Sequence, residues 1–147
     1  MEIAMTTLYE SDFFAWTNRQ AALLRAGDLG AVDIERIAEE IESMGRREKR
    51  ELFSRIAILL MHLLKWRFQP ALIGNSWRAT IKVQRRDLLR LLADNPSLKS
   101  HLPTMIADAY GDAILMAIRE TGLDETAFPP TCPWGFDELI DPDFWPG

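Results

Sequence analysis

The run LLMHLLKWRFQP, residues 59–70, sets one ionisable ring, His62, inside an aliphatic stretch that closes on Lys65, Trp66 and Arg67. An imidazole in that position can act as a general base, ligate a metal, serve as a handle for a partner, or sit in the core with its nitrogens satisfied. General-base chemistry needs a carboxylate to orient the ring and a nucleophile to deprotonate. The chain has no G-x-S-x-G, and its single cysteine, Cys132, lies far from His62 in sequence. Metal binding in a helical bundle needs Glu-x-x-His from two helices, because i and i+3 bring both ligands onto one interior face. The acidic run EEIE supplies Glu39, Glu40 and Glu42, but the only histidines are His62 and His101, and that pattern is absent. Glu39 and Glu42 share a helix face that solvent explains equally well. His62 therefore reads as a buried, neutral core residue bonded to a carboxylate or a backbone carbonyl, and no metal or cofactor is implied.

The second group of interest is basic. Residues 65–92 have a balance of +6, against −3 for residues 1–64 and −8 for residues 93–147. Lys65, Arg67, Arg78, Lys82, Arg85 and Arg86 are interleaved with Trp66 and Trp77. Cations among aromatics could hold phosphates and stack bases. Against nucleic acid stands a net charge of −5 for the whole chain. The acidic C-terminal third can neutralise the band within the fold. Lys65, Trp66, Arg67, Trp77, Arg78, Lys82, Arg85 and Arg86 thus form a possible binding surface, with intramolecular pairing preferred. Cys132 has no neighbouring cation in sequence to activate it.

These side chains must be positioned by helices. With 147 residues, 48% hydrophobic and 27% charged, the chain is globular and long enough for a single domain with a real core. The longest apolar run is about half a membrane span. The acidic N-terminus lacks a signal-peptide pattern. One cysteine cannot form an internal disulfide, so the reading is a cytoplasmic protein with no membrane association.

Ser11 is the expected N-cap of a first helix over 11–26, ended by Gly27. Asp33 should cap a second helix over 33–69. Its apolar positions Ile34, Ile37, Ile41, Met44, Leu52, Ile56, Leu59 and Leu63 keep one phase across Gly45, where a bend or a close helix approach is expected, with a turn at MGRR as the alternative. Pro70 stops it. Ser76 should cap a third helix over 76–93, and Pro103 should open a fourth over 103–121 that Gly122 ends. The proline-rich tail, 123–147, has room for one turn around FDELI. Trp66 and Trp77 are expected in the core, with Trp134 and Trp145 pinning the tail across the helices. No stretch alternates like a strand, so the fold class is all-α, a bundle with a long central second helix.

Taken in order, YESDFFAW, EEIESMGRREKRE, LLMHLLKWRFQP, NSWRATIKVQRR, ETGL, CPWGF and DPDFWP resemble the family catalogued as domain of unknown function 29, found in cyanobacteria and other bacteria. The resemblance implies a compact helical domain with no assigned activity. It makes Trp16, Glu40, Gly45, His62, Lys65, Trp66, Trp77 and Trp145 familiar positions without known roles. The preferred functional reading is a non-enzymatic helical interaction domain that binds a protein partner and self-associates. Its rivals are a small enzyme or ligand-binding protein using His62 with an acidic partner near Trp66, and a nucleic-acid binder using the band 65–90.

Overall fold

A helix begins where a side chain satisfies its exposed amides. In the computed structural model, which describes residues 7–147, Asp12 does this for the first long helix, its Oδ1 accepting the Ala15 N–H at 3.0 Å. Ser11, the expected cap, instead ends a single preceding turn, α1 (Leu8–Ser11), which Thr7 caps. Two cap-forming side chains in one short stretch split what the sequence presents as one helix start. α2 follows over Phe13–Arg25. It ends at Gly27, where the Asp28 N–H reaches the Leu23 carbonyl at 3.0 Å and the Gly27 N–H reaches Leu24 at 3.1 Å. The φ of +74° at Gly27 is left-handed, which glycine adopts without strain.

Asp33 caps the next helix as expected, its Oδ1 accepting the Arg36 N–H at 3.3 Å. That helix, α3, runs unbroken over Ile34–Phe68. Gly45 costs a helix interior only about 1 kcal/mol, which the continuous apolar phase outweighs. The close helix approach expected at Gly45 is absent: a Cβ there would meet nothing within 4 Å. α4 spans Asn75–Asp94 with Gly74, not Ser76, at its cap and no side-chain capping bond. Ser76 lies inside the first turn, where its carbonyl accepts the Thr80 hydroxyl at 2.9 Å. α5 spans Leu102–Thr121, with Pro103 in its first turn and Gly122 ending it at φ +73°. A five-residue helix, α6 (Phe136–Ile140), lies in the tail. The described residues contain helices and turns without a strand.

Contacts group the chain into two compact units, one up to Gly45 and one from Arg46 to Gly147. In the first, Trp16 and Gln20 are the buried side chains of α2. Tyr9 meets Trp16 edge-on at 4.8 Å between ring centroids, and its hydroxyl donates to Glu40 Oε1 at 2.5 Å. Gln20 Oε1 accepts the Asp33 N–H at 2.8 Å and so ties the end of the loop to α2.

The second unit holds the hydrophobic core. Leu52, Ile56, Leu59, Leu60, Leu63 and Leu64 of α3, with Ile81 and Leu88 of α4, are fully buried. On α5, Ala109, Ala113 and Ala117 recur every fourth residue with no exposed area, a small-residue stripe that lets neighbours pack close. The tail adds Phe128, Trp134 and Leu139 to this core.

Candidate functional site

His62 sits on α3 one turn after Ile58, and its Nδ1–H donates to the Ile58 carbonyl at 3.0 Å. The ring is half-buried rather than sealed. Burial holds its pKa below the ordinary 6.5; the Ile58 bond and the Glu120 charge pull upward, and the Lys65 charge pulls down with burial. With Nδ1 occupied by a carbonyl, the neutral ring keeps its lone pair on Nε2. The carboxylate near it is Glu120, not Glu39 or Glu42. Glu120 is already engaged, accepting from Lys65 Nζ at 2.5 Å, and that bond holds its carboxyl below the usual range. Glu39 and Glu42 are exposed on the first unit. Among the described residues no three His, Cys, Asp or Glu side chains converge as a metal site.

The basic band does not form one surface. Lys65 is only 7% exposed and Arg85 3%, so both leave the predicted binding face for the interior. Lys65 lies between Glu120 and the Trp77 ring, its Nζ 4.6 Å from the ring centroid. Arg85 points at the tail. Its Nε donates to the Leu139 carbonyl at 2.7 Å and its Nη2 to the Phe144 carbonyl at 2.7 Å. Nη1 is buried with no partner, and burial lowers the guanidinium's pKa while Asp141 opposes the shift. Arg78, Lys82 and Arg86 remain exposed, as does Arg67. Arg67 reaches the Gly147 carbonyl at 3.2 Å.

The tail therefore docks on the basic middle, as its charge suggests, but by a different bond. Arg85 captures backbone carbonyls, and the acidic side chains of the tail are not its hydrogen-bond partners. Trp66 and Trp77, expected in the core, are half-buried. Trp66 packs on Trp145 at 4.5 Å and lies under Arg78 at 5.6 Å. Trp134 is buried, so both C-terminal tryptophans hold the tail in place. An open groove of about 870 Å³ runs between α5 and the tail, past Ile106, Tyr110, Cys132 and Trp134. Burial pushes the Cys132 thiol up, and its Sγ–H donates to the Trp134 carbonyl at 3.3 Å. A thiol held in its protonated form is a poor nucleophile.

An exposed apolar groove belongs to the first unit. Leu24, Leu29, Val32, Ile34, Ile37, Ala38 and Ile41 line a groove of about 310 Å³ without a polar side chain among them. Ile34 is 67% exposed, Leu29 62%, Ile41 61% and Met44 54%. Ile34, Ile37, Ile41 and Met44 belong to the apolar stripe of α3 that is buried from Leu52 onward.

A family model described as Domain of unknown function DUF29 matches residues 8–145. The chain belongs to that family. No curated protein matches, and no solved structure does. The DUF29 match runs through both units and spans α1 to α6 of the described residues.

Within this DUF29 chain, the sequence points to the helical phase of 34–63 but not to where along α3 the stripe loses its cover. It does set Arg85 apart from Arg86, since Arg85 falls at i+4 from Ile81 and i−3 from Leu88 on the buried face of α4 and Arg86 does not; a reading of the basic band by charge alone takes no account of that phase. Glu120, the partner of Lys65, lies 55 residues away on another helix. A periodicity argument has no way to pair residues at that separation.

Proposed function

We propose that the chain is a non-enzymatic interaction module that self-associates through the exposed apolar face of residues 24–44. One observation carries this reading: Leu24, Leu29, Ile34, Ile41 and Met44 are each about half to two-thirds exposed on one unit. Large apolar side chains grouped in this way on a surface are what marks an interface, where single scattered ones do not. Two copies covering it would bury on the order of 1,000 Å², the lower limit for a specific interface.

Charge supports a second copy as the occupant. Side chains at 35–42 of α3 sum to −3, and those at 46–50 sum to +3. Two such helices packed antiparallel place the acidic stretch of each beside the basic stretch of the other, while a parallel pairing opposes like charges. An antiparallel pairing is also compatible with the isologous contact of a two-fold dimer.

Sedimentation equilibrium tests the proposal. The wild-type chain is expected to be a dimer at micromolar concentration. Ile34→Glu with Ile41→Glu is expected to give a monomer with unchanged helical circular dichroism, since both side chains lie outside the core. A wild-type chain that stays monomeric, or a double variant that still dimerises, would overturn it.

A further inference from the structure

The groove between α5 and the tail lies wholly within the second unit and stands apart from the apolar face of residues 24–44. Along α5 its lining runs from Leu102 to Leu115, a rise of about 20 Å. Its volume of about 870 Å³ falls in the range of small-molecule sites. The wall is apolar: Ile106, Ile114 and Trp134 are buried side chains that border it, and Leu115 is 65% exposed. Two carboxylates, Asp112 and Glu125, also line the groove, and no Lys, Arg or His does. Both are exposed, and neither makes an ion pair among the described residues. The tail supplies no counter-charge, since residues 123–147 hold six Asp and Glu and no Lys, Arg or His.

We propose that this groove binds a small organic cation, an amine on a hydrocarbon body, its charge balanced by Asp112 and Glu125 and its body laid along Ile106, Ile114 and Trp134. An anion of the same shape would meet two carboxylates with no cation to offset them. A bare ammonium would leave the apolar wall wet. Asp112 lies ten residues beyond Leu102, so the charged head sits about 15 Å from the positive start of α5. An extended peptide fits less well, because its amides need partners. The Tyr110 hydroxyl is spent on the Pro129 carbonyl at 2.6 Å, the Cys132 thiol on the Trp134 carbonyl, and the Gly135 N–H on Glu138 Oε1 at 3.2 Å. A simple amine brings no amide to satisfy.

Amide NMR on the full chain tests this with three probes: octylamine, octanoate and methylamine. Octylamine is expected to give saturable shifts at Ile106, Leu115 and Trp134, about tenfold or more tighter than octanoate, and methylamine none. Cys132 is the sole cysteine of the chain and borders the groove, so saturating octylamine should also slow its alkylation by iodoacetamide. Asp112→Asn with Glu125→Gln is expected to weaken octylamine about fivefold or more and octanoate not at all, with circular dichroism unchanged. Should the double variant lose helicity, Glu125→Gln alone is expected to weaken octylamine in the same direction. No saturation at millimolar octylamine, equal affinity for either of the other probes, or unaltered affinity in the folded variants would each overturn the proposal. So would tighter binding of a short leucine–lysine peptide, which would make the groove a peptide site.

Discussion

His62 illustrates how a residue's surroundings, not its type, decide its chemistry. Its Nδ1–H is spent on the carbonyl one turn back, and burial favours the neutral ring. A histidine whose folded pKa is depressed contributes stability that is complete above its unfolded value and is lost as pH falls through the folded one. Thermal unfolding should therefore show stability declining as pH drops below the ordinary 6.5, with a shallower decline in His62→Gln. The His62 ring should titrate by NMR with a midpoint under 6.5. A midpoint above it would mean that the Glu120 charge outranks burial and would reopen the question of a proton-transfer role. Half-burial also tempers the cost of removing the ring. His62→Ala should lose about 1–2 kcal/mol, one hydrogen bond and part of a cavity, not the larger penalty of a sealed core position.

At the scale of the element, the tail is held by geometry that only a guanidinium supplies. Arg85 spans the Leu139 and Phe144 carbonyls from two different nitrogens, and a lysine has a single donor head. Arg85→Lys should keep the charge yet lower stability by about 2–4 kcal/mol, because the buried Leu139 carbonyl and the part-buried Phe144 carbonyl lose charge-assisted partners. The same variant should expose residues 129–147 to limited proteolysis well before the helices are cut. If Arg85→Lys melts within a degree of wild type, Phe128, Trp134 and Leu139 suffice to hold the tail and the fork is incidental. The capping pattern at the other end of the chain makes a related point. Ser11 and Ser76 are good caps by type, but Asp12 and Gly74 take those positions because helix ends follow where the chain must turn.

For the whole molecule, the division of buried area is uneven. Among the described residues, Trp16 and Gln20 are the buried side chains outside 46–147. A unit with its own core is able to fold alone. The fragment 46–147 should accordingly give a helical far-UV spectrum and a cooperative melt. The fragment 1–45, with so little apolar surface withdrawn from water, should not. A fragment 46–147 without a cooperative transition would show that its core depends on the first unit. No helix among the described residues is long and apolar enough to cross a membrane.

The all-α class and the stops at Gly27, Pro70 and Gly122 were written in local sequence, while the apolar phase across Gly45 favoured a continuous α3 over a turn at MGRR, and the structure decided for it. Each depends on interactions within a few residues: apolar phase, backbone freedom of glycine, the missing N–H of proline. Family membership was legible from the motifs too, since they recur in order along the chain. Helical phase puts Arg85 on the buried face with Ile81 and Leu88, but tertiary structure alone decided what the inward cations meet. Lys65 and Arg67 are two residues apart, and so cannot share a helix face; Arg85 and Arg86 are adjacent. The partners themselves, Glu120 and the tail carbonyls, lie more than 50 residues away. The same holds for the stripe of α3, whose residues look alike from Ile34 to Leu63. Only the packing of α4, α5 and the tail determines that Leu52 onward is covered; within the first unit, Ile34, Ile41 and Met44 are exposed.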